Sequence, residues 1–156
     1  MNITYQEYRE QKQAEVNALP LAFAFSDEQF VAGMHELGLK ETDTDKIVAV
    51  PGGGFCRKED AKRVFETLSW GKLTELMKDP EFAEDAFYYE MCNHEYGINL
   101  QGAYDVCECF PGELEYGDDK TGVDYLKEMG YGEEIQKAWC DAKAKYWKDA
   151  IENEWF

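Results

Sequence analysis

The middle of the chain lacks basic residues: from Asp79 to Asp119 there is no Lys or Arg, although these 41 residues carry 12 Asp and Glu. The net charge of the whole chain is −17, so about a quarter of its length supplies most of that charge. The negative sign of the net charge argues against direct binding of nucleic acid or of an anionic membrane. Eight aromatic residues lie in the same segment, and acidic disordered tails are poor in aromatics. We therefore expect this segment to fold and to hold its charge on an ordered frame.

Long apolar runs are also missing. The longest, Leu19 to Phe25, is interrupted by Pro20 and is too short to cross a bilayer. The first residues, MNITYQEYREQKQ, have no apolar signal core. The five cysteines are an odd number in a chain that is not small and loop-rich, which favours free thiols over a disulfide framework. These features predict a soluble cytoplasmic protein.

Motifs for phosphate binding and for nucleophilic catalysis are absent too. Pro51 is followed by three glycines, but neither the P-loop pattern nor the dinucleotide-binding pattern is present, so this stretch is predicted to be a turn between two short strands. There is no G-x-S-x-G, and the only histidines that could act as general bases are His35 and His94. We therefore expect no enzyme and no cofactor.

The spacing of the potential metal ligands does not match that of structural zinc sites. The pairs Cys92-x-His94 and Cys107-x-Cys109 have one residue in each gap, whereas structural zinc sites usually have about two to four. A helical wheel places Cys92 and His94 about 160° apart, so they would not converge on one ion. No metal site is predicted.

Capping residues, breakers and apolar periodicity predict the order of the elements. Helices are predicted over residues 3–17, from Ser26 to Gly38, over 58–78 with a break near Trp70, over 80–96, from Thr121 to Met129 and over 133–153; hairpins are predicted over 46–57 and 98–110. This order indicates a helix-rich α+β fold with one or two small antiparallel β-hairpins. The length predicts a single globular domain over residues 1–156.

The helix that begins at Asp79-Pro80 is predicted to carry an acidic stripe. On a wheel, an arc of about 100° collects Glu81, Glu84, Asp85, Tyr88, Cys92 and Glu95. We expect this arc to face solvent. The predicted partner-binding residues are those of the stripe other than the cysteine, together with the acidic loop after the second hairpin: Glu81, Glu84, Asp85, Tyr88, Glu95, Glu113, Glu115, Asp118 and Asp119. Exposed Tyr88 or Tyr116 would add contact area.

Glu90 and His94 fall on the opposite, apolar side of the same helix. They are four residues apart and therefore adjacent on its surface. Because an unpaired buried carboxylate is unfavourable, Glu90 needs a partner. Two hypotheses follow: a structural pair of Glu90 with His94 or a nearby amide, or a pocket in which the two bind a ligand or metal or move a proton.

Several segments together resemble a known family: ALPLAFAFSDEQF at 18–30, DTDKIVAVPGGGFCRK at 43–58, FYYEMCNHEYGIN at 87–99, YDVCECF at 104–110 and IENEWF at 151–156. Over most of its length the chain resembles small acidic uncharacterised proteins of gut bacteria and their phages. The resemblance implies no catalytic residue. It implies a setting of mobile elements, in which small acidic proteins frequently inhibit host defence, as anti-CRISPR proteins do.

These observations lead to one main expectation and two alternatives. We expect an acidic phage or mobile-element accessory protein that inhibits by protein–protein interaction, with carboxylates that mimic nucleic-acid phosphates and occupy a basic nucleic-acid-binding surface of a partner such as a CRISPR effector. The first alternative is a small enzyme or ligand-binding protein that uses a Glu90/His94 pocket. The second is a helper protein whose acidity serves solubility alone.

Overall fold

The computed structural model describes residues 3–156 and has the predicted helix-rich α+β fold. The elements in chain order are α1 (Tyr5–Asn17), β1 (Ala22–Phe23), α2 (Asp27–Glu36), β2 (Ile47–Val50), β3 (Gly54–Arg57), α3 (Ala61–Leu68), α4 (Gly71–Leu76), α5 (Pro80–Asn93), α6 (Gly102–Cys107), α7 (Gly122–Glu128) and α8 (Glu133–Glu152). Single 3₁₀ turns lie at Thr44–Lys46 and Lys58–Asp60. Within residues 3–156, no helix combines the length and the apolar character that a membrane span requires.

Three helices start at the capping residues that the sequence predicts. The side chains of Ser26, Asp79 and Thr121 each accept a hydrogen bond from a backbone N–H in the first turn of α2, α5 and α7, respectively. At α7 the bond is reciprocal, because the carboxylate of Asp124 accepts from the backbone N–H of Thr121 at 2.8 Å. These caps satisfy N–H groups that a helix leaves without an internal partner, and so they fix where each helix begins.

The chain divides into two compact units. One, unit A, comprises the N-terminal residues up to Glu10 together with Trp70–Phe156; the other, unit B, comprises Gln11–Ser69. The single domain over 1–156 stays a prediction.

Unit B is built around a three-stranded antiparallel sheet of order β1-β3-β2. The predicted hairpin of β2 and β3 is confirmed, with Val50 opposite Gly54 and Ile47 opposite Arg57. Gly52 and Gly53 form its turn at φ of 85° and 83°, a left-handed conformation that glycine adopts without strain. The sequence did not indicate β1, which is two residues long and pairs with β3.

The core of unit A lies mainly between the two long helices, α5 and α8. Phe87 of α5 makes edge-on ring contacts with Phe110 and Trp139, at centroid separations of 5.1 and 5.2 Å. Tyr146 of α8 is buried and packs edge-on against Tyr96, with ring centroids 5.6 Å apart. The aromatic residues of the acidic segment therefore build the core, as expected for a segment that folds.

The hairpin predicted over 98–110 is wrong, because the chain forms α6 there. Asn99 organises the turn before this helix: its Oδ1 accepts from the N–H of Gln101, and its Nδ2 donates to the carboxylate of Asp105 at 2.8 Å. Val106 and Phe110 are then buried at helical spacing, four residues apart. The alternation of apolar residues that predicted a strand is therefore produced by residues of a helical turn.

Helix α5 ends at Asn93, before the predicted end at Tyr96. The N–H of Tyr96 bonds the carbonyl of Met91 at 3.0 Å, and the N–H of Glu95 bonds the carbonyl of Cys92, which is a Schellman ending. Such an ending places one residue in the left-handed conformation, and that residue is Glu95, at φ 51°, rather than the predicted Gly97. The reversal begins after His94, and Asn99 then donates from Nδ2 to the carbonyl of His94 at 3.1 Å.

Candidate functional site

Helix α5 presents its charged residues on two different surfaces. Its buried side carries Phe82, Phe87 and Met91, and Glu90 is on that side with only 1% of its surface exposed. Glu90 is the one buried charged residue among residues 3–156. A carboxylate at this depth requires partners, and its surroundings define the candidate site.

Both oxygens of Glu90 are used. Oε1 accepts from the hydroxyl of Tyr5 at 3.1 Å and from Nη1 of Arg9 at 2.7 Å. Oε2 lies 3.2 Å from Sγ of Cys109 and 3.2 Å from Nε2 of His94. The amide of Asn93 adds a weaker contact with Oε2 at 3.4 Å. Elements from three parts of unit A thus meet at one carboxylate.

The predicted contact between Glu90 and His94 is confirmed. Tyr5, Arg9 and Cys109 were not predicted as neighbours of Glu90. Tyr5 and Arg9 lie 85 and 81 residues away in sequence, and no local pattern reports such a distance. A buried carboxylate in a helix was the available signal that a cation would be found near it.

Arg9 joins the buried carboxylate to the surface. Its side chain is 45% exposed, and its guanidinium carbon lies 5.2 Å from the centre of the Tyr89 ring. The guanidinium therefore pairs with Glu90 at one edge and stacks over an aromatic face, an arrangement that suits Arg better than Lys.

The surroundings keep the neighbouring acids protonated. Burial, and then the charge of Glu90, raise the pKa of Tyr5 far above its ordinary value of 10.0. Burial and the same carboxylate raise the pKa of the Cys109 thiol well above 9.0. At neutral pH both groups are therefore hydrogen-bond donors to Glu90, and Cys109 lacks the thiolate character of a reactive cysteine.

Cys92 lies on a different side of α5 from His94. It is exposed, and its neighbours are Tyr88, Asp149 and Lys145. The hydroxyl of Tyr88 donates to Asp149 at 2.5 Å, and Nζ of Lys145 lies 4.0 Å from the centre of the Tyr88 ring. This agrees with the prediction that Cys92 and His94 do not converge. It also shows that Tyr88 is held by α8 rather than free for contact.

The predicted acidic stripe is solvent-facing over part of its length. Glu81 and Glu95 are exposed, whereas Glu84 and Asp85 are half-buried. Asp85 accepts a hydrogen bond from the N–H of Tyr5 at 2.8 Å, so its carboxylate holds the start of α1. Asp85 therefore has a structural contact in addition to its place in the stripe.

The acidic loop, residues 111–120, is tied to the fold at several points. The hydroxyl of Tyr125 bonds both the N–H and the carbonyl of Gly117, and the hydroxyl of Tyr116 donates to Asp118 at 2.7 Å. Lys120 bonds the carbonyl of Glu115 and pairs with Glu128 at 2.9 Å. The exposed carboxylates of this loop, Glu113, Glu115, Asp118 and Asp119, therefore have a defined backbone beneath them.

Three of the basic residues that precede the acidic segment pair with their own neighbours. Arg57 contacts Asp60 at 2.8 Å, Lys62 contacts Glu66 at 4.0 Å, and Lys78 contacts Glu75 at 2.9 Å. These local pairs use carboxylates outside the 79–119 segment.

Apolar side chains are exposed beside Glu95. Ile98 and Leu100 follow it in the chain and are 59% and 102% exposed, and a cleft of about 290 Å³ lies where Glu95 and Ile98 face Trp155 and Phe156. Large exposed apolar residues next to a free carboxylate are typical of a binding surface.

Comparison with known proteins gives one result. Neither the curated proteins nor the solved structures include a match to this chain. A family model matches residues 4–139, which covers both units in large part. The chain belongs to that family, a family of unknown function (DUF7659).

Proposed function

We propose that this protein acts by binding a basic protein partner through an anionic surface on unit A. We define the anionic surface as six of the exposed carboxylates of the 79–119 segment, which are those of the acidic stripe and of the acidic loop: Glu81, Glu95, Glu113, Glu115, Asp118 and Asp119. The observation that carries the proposal is that this segment holds exposed carboxylates and no Lys or Arg on an ordered frame.

The order of the frame favours binding. The backbone below these carboxylates is fixed by the end of α5 and by the hydrogen bonds of Tyr125 to the acidic loop. A surface that is already ordered loses less conformational freedom when it binds. Fixed charge of one sign also raises the association rate with a partner of opposite sign.

Apolar contacts would add affinity and specificity beside the charge. Leu100 and Ile98 are exposed near Glu95, and Tyr116 is 47% exposed beside Asp118. Exposed charge at the rim of an interface contributes mainly to rate and orientation, whereas buried apolar and aromatic side chains contribute most of the binding energy. Both kinds of residue are available on this surface.

Nucleic-acid mimicry is the form of the proposal that explains the charge best. Carboxylates would take the positions of phosphates in a basic cleft, and the partner would be a nucleic-acid-binding protein such as a CRISPR effector. The supports are the net charge of −17 and the resemblance to proteins of mobile elements. In this proposal the protein inhibits by occupancy and catalyses no reaction.

A charge-reversal experiment tests the proposal. Glu95, Glu113 and Asp119 carry no hydrogen bond or ion pair through their side chains within the described chain, so all three can be changed to Lys with little effect on folding. A matched control changes Glu28, Glu36 and Glu41 of unit B, which are also exposed, and alters the net charge equally.

The tagged wild-type and variant proteins are used to capture partners from a host lysate. We expect the unit A variant to lose the partner that the wild type and the unit B variant retain. If both variants retain it, or both lose it equally, the charge acts through solubility or total charge and the anionic surface is not the binding site.

A further inference from the structure

We propose that Glu90, His94 and Cys109 form a binding site for one zinc-like divalent ion. Their ligand atoms converge: Oε2 of Glu90 lies 3.2 Å from Nε2 of His94 and 3.2 Å from Sγ of Cys109, and the nitrogen and sulfur are 3.4 Å apart. Carboxylate, imidazole and thiolate are the three ligand types that zinc binds in proteins. This inference is independent of the anionic surface.

The three separations match those around a tetrahedral ion. With zinc–ligand bonds of about 2.0 Å to oxygen and nitrogen and about 2.3 Å to sulfur, the tetrahedral angle gives ligand–ligand separations of about 3.3–3.6 Å. The observed triangle is smaller by about 0.1–0.3 Å on each side. Its centre lies about 1.9 Å from each atom, so an ion at bonding distance would sit just above the plane with little movement of the ligands.

The arrangement differs from a catalytic relay. In a nucleophile–histidine–acid relay, the nucleophile and the acid bind opposite nitrogens of the imidazole ring. Here Cys109 and Glu90 both face the same nitrogen, Nε2 of His94, and they also contact each other. Three groups that face one another around a point are placed to share an ion, not to pass a proton along a line.

The ligand charges also suit a divalent ion. On binding, the Cys109 thiol would release its proton to solvent, so that the thiolate and the Glu90 carboxylate supply two negative ligand charges and neutral His94 supplies none, while the Arg9 guanidinium at Oε1 adds one positive charge outside the ligand sphere. Oε1 of Glu90 would keep its bonds to Tyr5 and Arg9, which orient the carboxylate as outer-sphere groups do in metal sites.

The site can be reached from solvent. The side chain of His94 is 30% exposed and Cys109 is half-buried, while Glu90 forms the closed end. With three protein ligands and a partly exposed His94, the proposed site would take water as its fourth ligand, which is the pattern of an open zinc site rather than a closed structural one.

Cobalt and zinc titrations test the proposal on the full chain, kept reduced and freed of metal by a chelator. We expect Co²⁺ to give visible bands of a tetrahedral site with a thiolate-to-cobalt charge-transfer band, and calorimetry to give one Zn²⁺ per chain. Cys109→Ser should abolish the charge-transfer band and weaken Zn²⁺ binding at least about 100-fold, and His94→Gln should weaken it comparably. Cys92→Ser, which changes an exposed cysteine two residues from His94, should leave both signals unchanged.

Circular dichroism and melting of each variant establish that it is folded before titration. Absence of a stoichiometric Zn²⁺ site in the folded wild type would overturn the proposal. So would a charge-transfer band that survives in Cys109→Ser or disappears in Cys92→Ser, because the thiolate would then come from another cysteine. Weak binding of several ions that no ligand variant alters would assign the metal to the acidic surface instead.

Discussion

Replacing Arg9 with Met tests how the buried carboxylate is stabilised. Methionine keeps most of the apolar stem that lies against Tyr89 but removes the charge that bonds Oε1 of Glu90 at 2.7 Å. Glu90, at 1% exposure, would then lack its cation, although the hydroxyl of Tyr5 and the thiol of Cys109 would still donate to it.

The expected loss of stability follows from this geometry. Removal of one partner from a buried ion pair usually costs about 3–5 kcal/mol. The Arg9 side chain is 45% exposed, so solvent screens part of the interaction, and the remaining donors to Glu90 reduce the loss further. We expect the free energy of unfolding to fall by about 2–3 kcal/mol at pH 7.

A double-mutant cycle in urea measures this quantity. In the Glu90→Gln background the Arg9→Met change should cost only about 0.5 kcal/mol, which gives a coupling energy near 2 kcal/mol. Arg63→Met, at an exposed position of α3, is the control and should alter stability by no more than about 0.5 kcal/mol. The reasoning is refuted if Arg9→Met costs as little as the control, or if its cost is the same with Gln at position 90.

Three further predictions concern other parts of unit A. A Cβ at Gly122 would overlap the buried indole of Trp139, so Gly122→Ala should cost about 1–3 kcal/mol in urea unfolding, whereas Gly132→Ala, with open space around it at the N-cap of α8, should cost only the capping preference, about 0.5–1 kcal/mol. Glu95→Gly should raise stability by roughly 0.5–1 kcal/mol by relieving the left-handed backbone at φ 51°; a loss of stability would contradict this reading. The hydrogen bond from the backbone N–H of Thr121 lowers the pKa of Asp124 below its ordinary value of 3.8. The stability that the ionised carboxylate adds to the fold is therefore complete above pH 3.8 and is lost as the pH falls through the lowered pKa. The melting temperature of Asp124→Asn should therefore lie below that of the wild type at pH 7 and approach it in acid, and a constant difference would be evidence against the cap.

Local chemistry made the helix starts predictable. Ser26, Asp79 and Thr121 begin their helices through hydrogen bonds within three residues, so the information lies in adjacent sequence. The glycine turn at residues 51–54 was predictable for the same reason. Strand β1 was not, because two residues carry no periodicity and its position depends on a partner strand more than thirty residues away.

The segment after α5 was predicted as a hairpin because an alternation of apolar residues fits both a strand and one turn of helix. Tyr104, Val106 and Cys107 suggested a strand, but Gln101 and Asn99 supply the bonds that start a helix. The predicted hairpin gave no reason to expect Cys109 beside Glu90, whereas in the structure the two side chains lie 3.2 Å apart.

Two members of the candidate site, Glu90 and His94, could be found from sequence, and three, Tyr5, Arg9 and Cys109, could not. The wheel placed Glu90 and His94 together, since helical neighbours follow from spacing alone. Arg9 approaches from α1 through tertiary packing, and its contact with Glu90 is a property of the folded chain. The wheel also separated Cys92 from His94 correctly. The cysteine-containing pairs visible in the sequence were Cys92-x-His94 and Cys107-x-Cys109, and their spacing gave no reason to place Cys109 with Glu90 and His94.

The salt dependence of partner affinity tests the proposed function most directly. The partner retained by the wild-type protein is purified, and its dissociation constant is measured from low to high salt with and without a competing DNA duplex. Because the anionic surface is exposed and salt screens exposed charge, we expect affinity to fall steeply as salt rises and the duplex to displace the protein. An affinity that stays constant across the salt range, with no displacement by DNA, would contradict recognition through the carboxylates of residues 79–119.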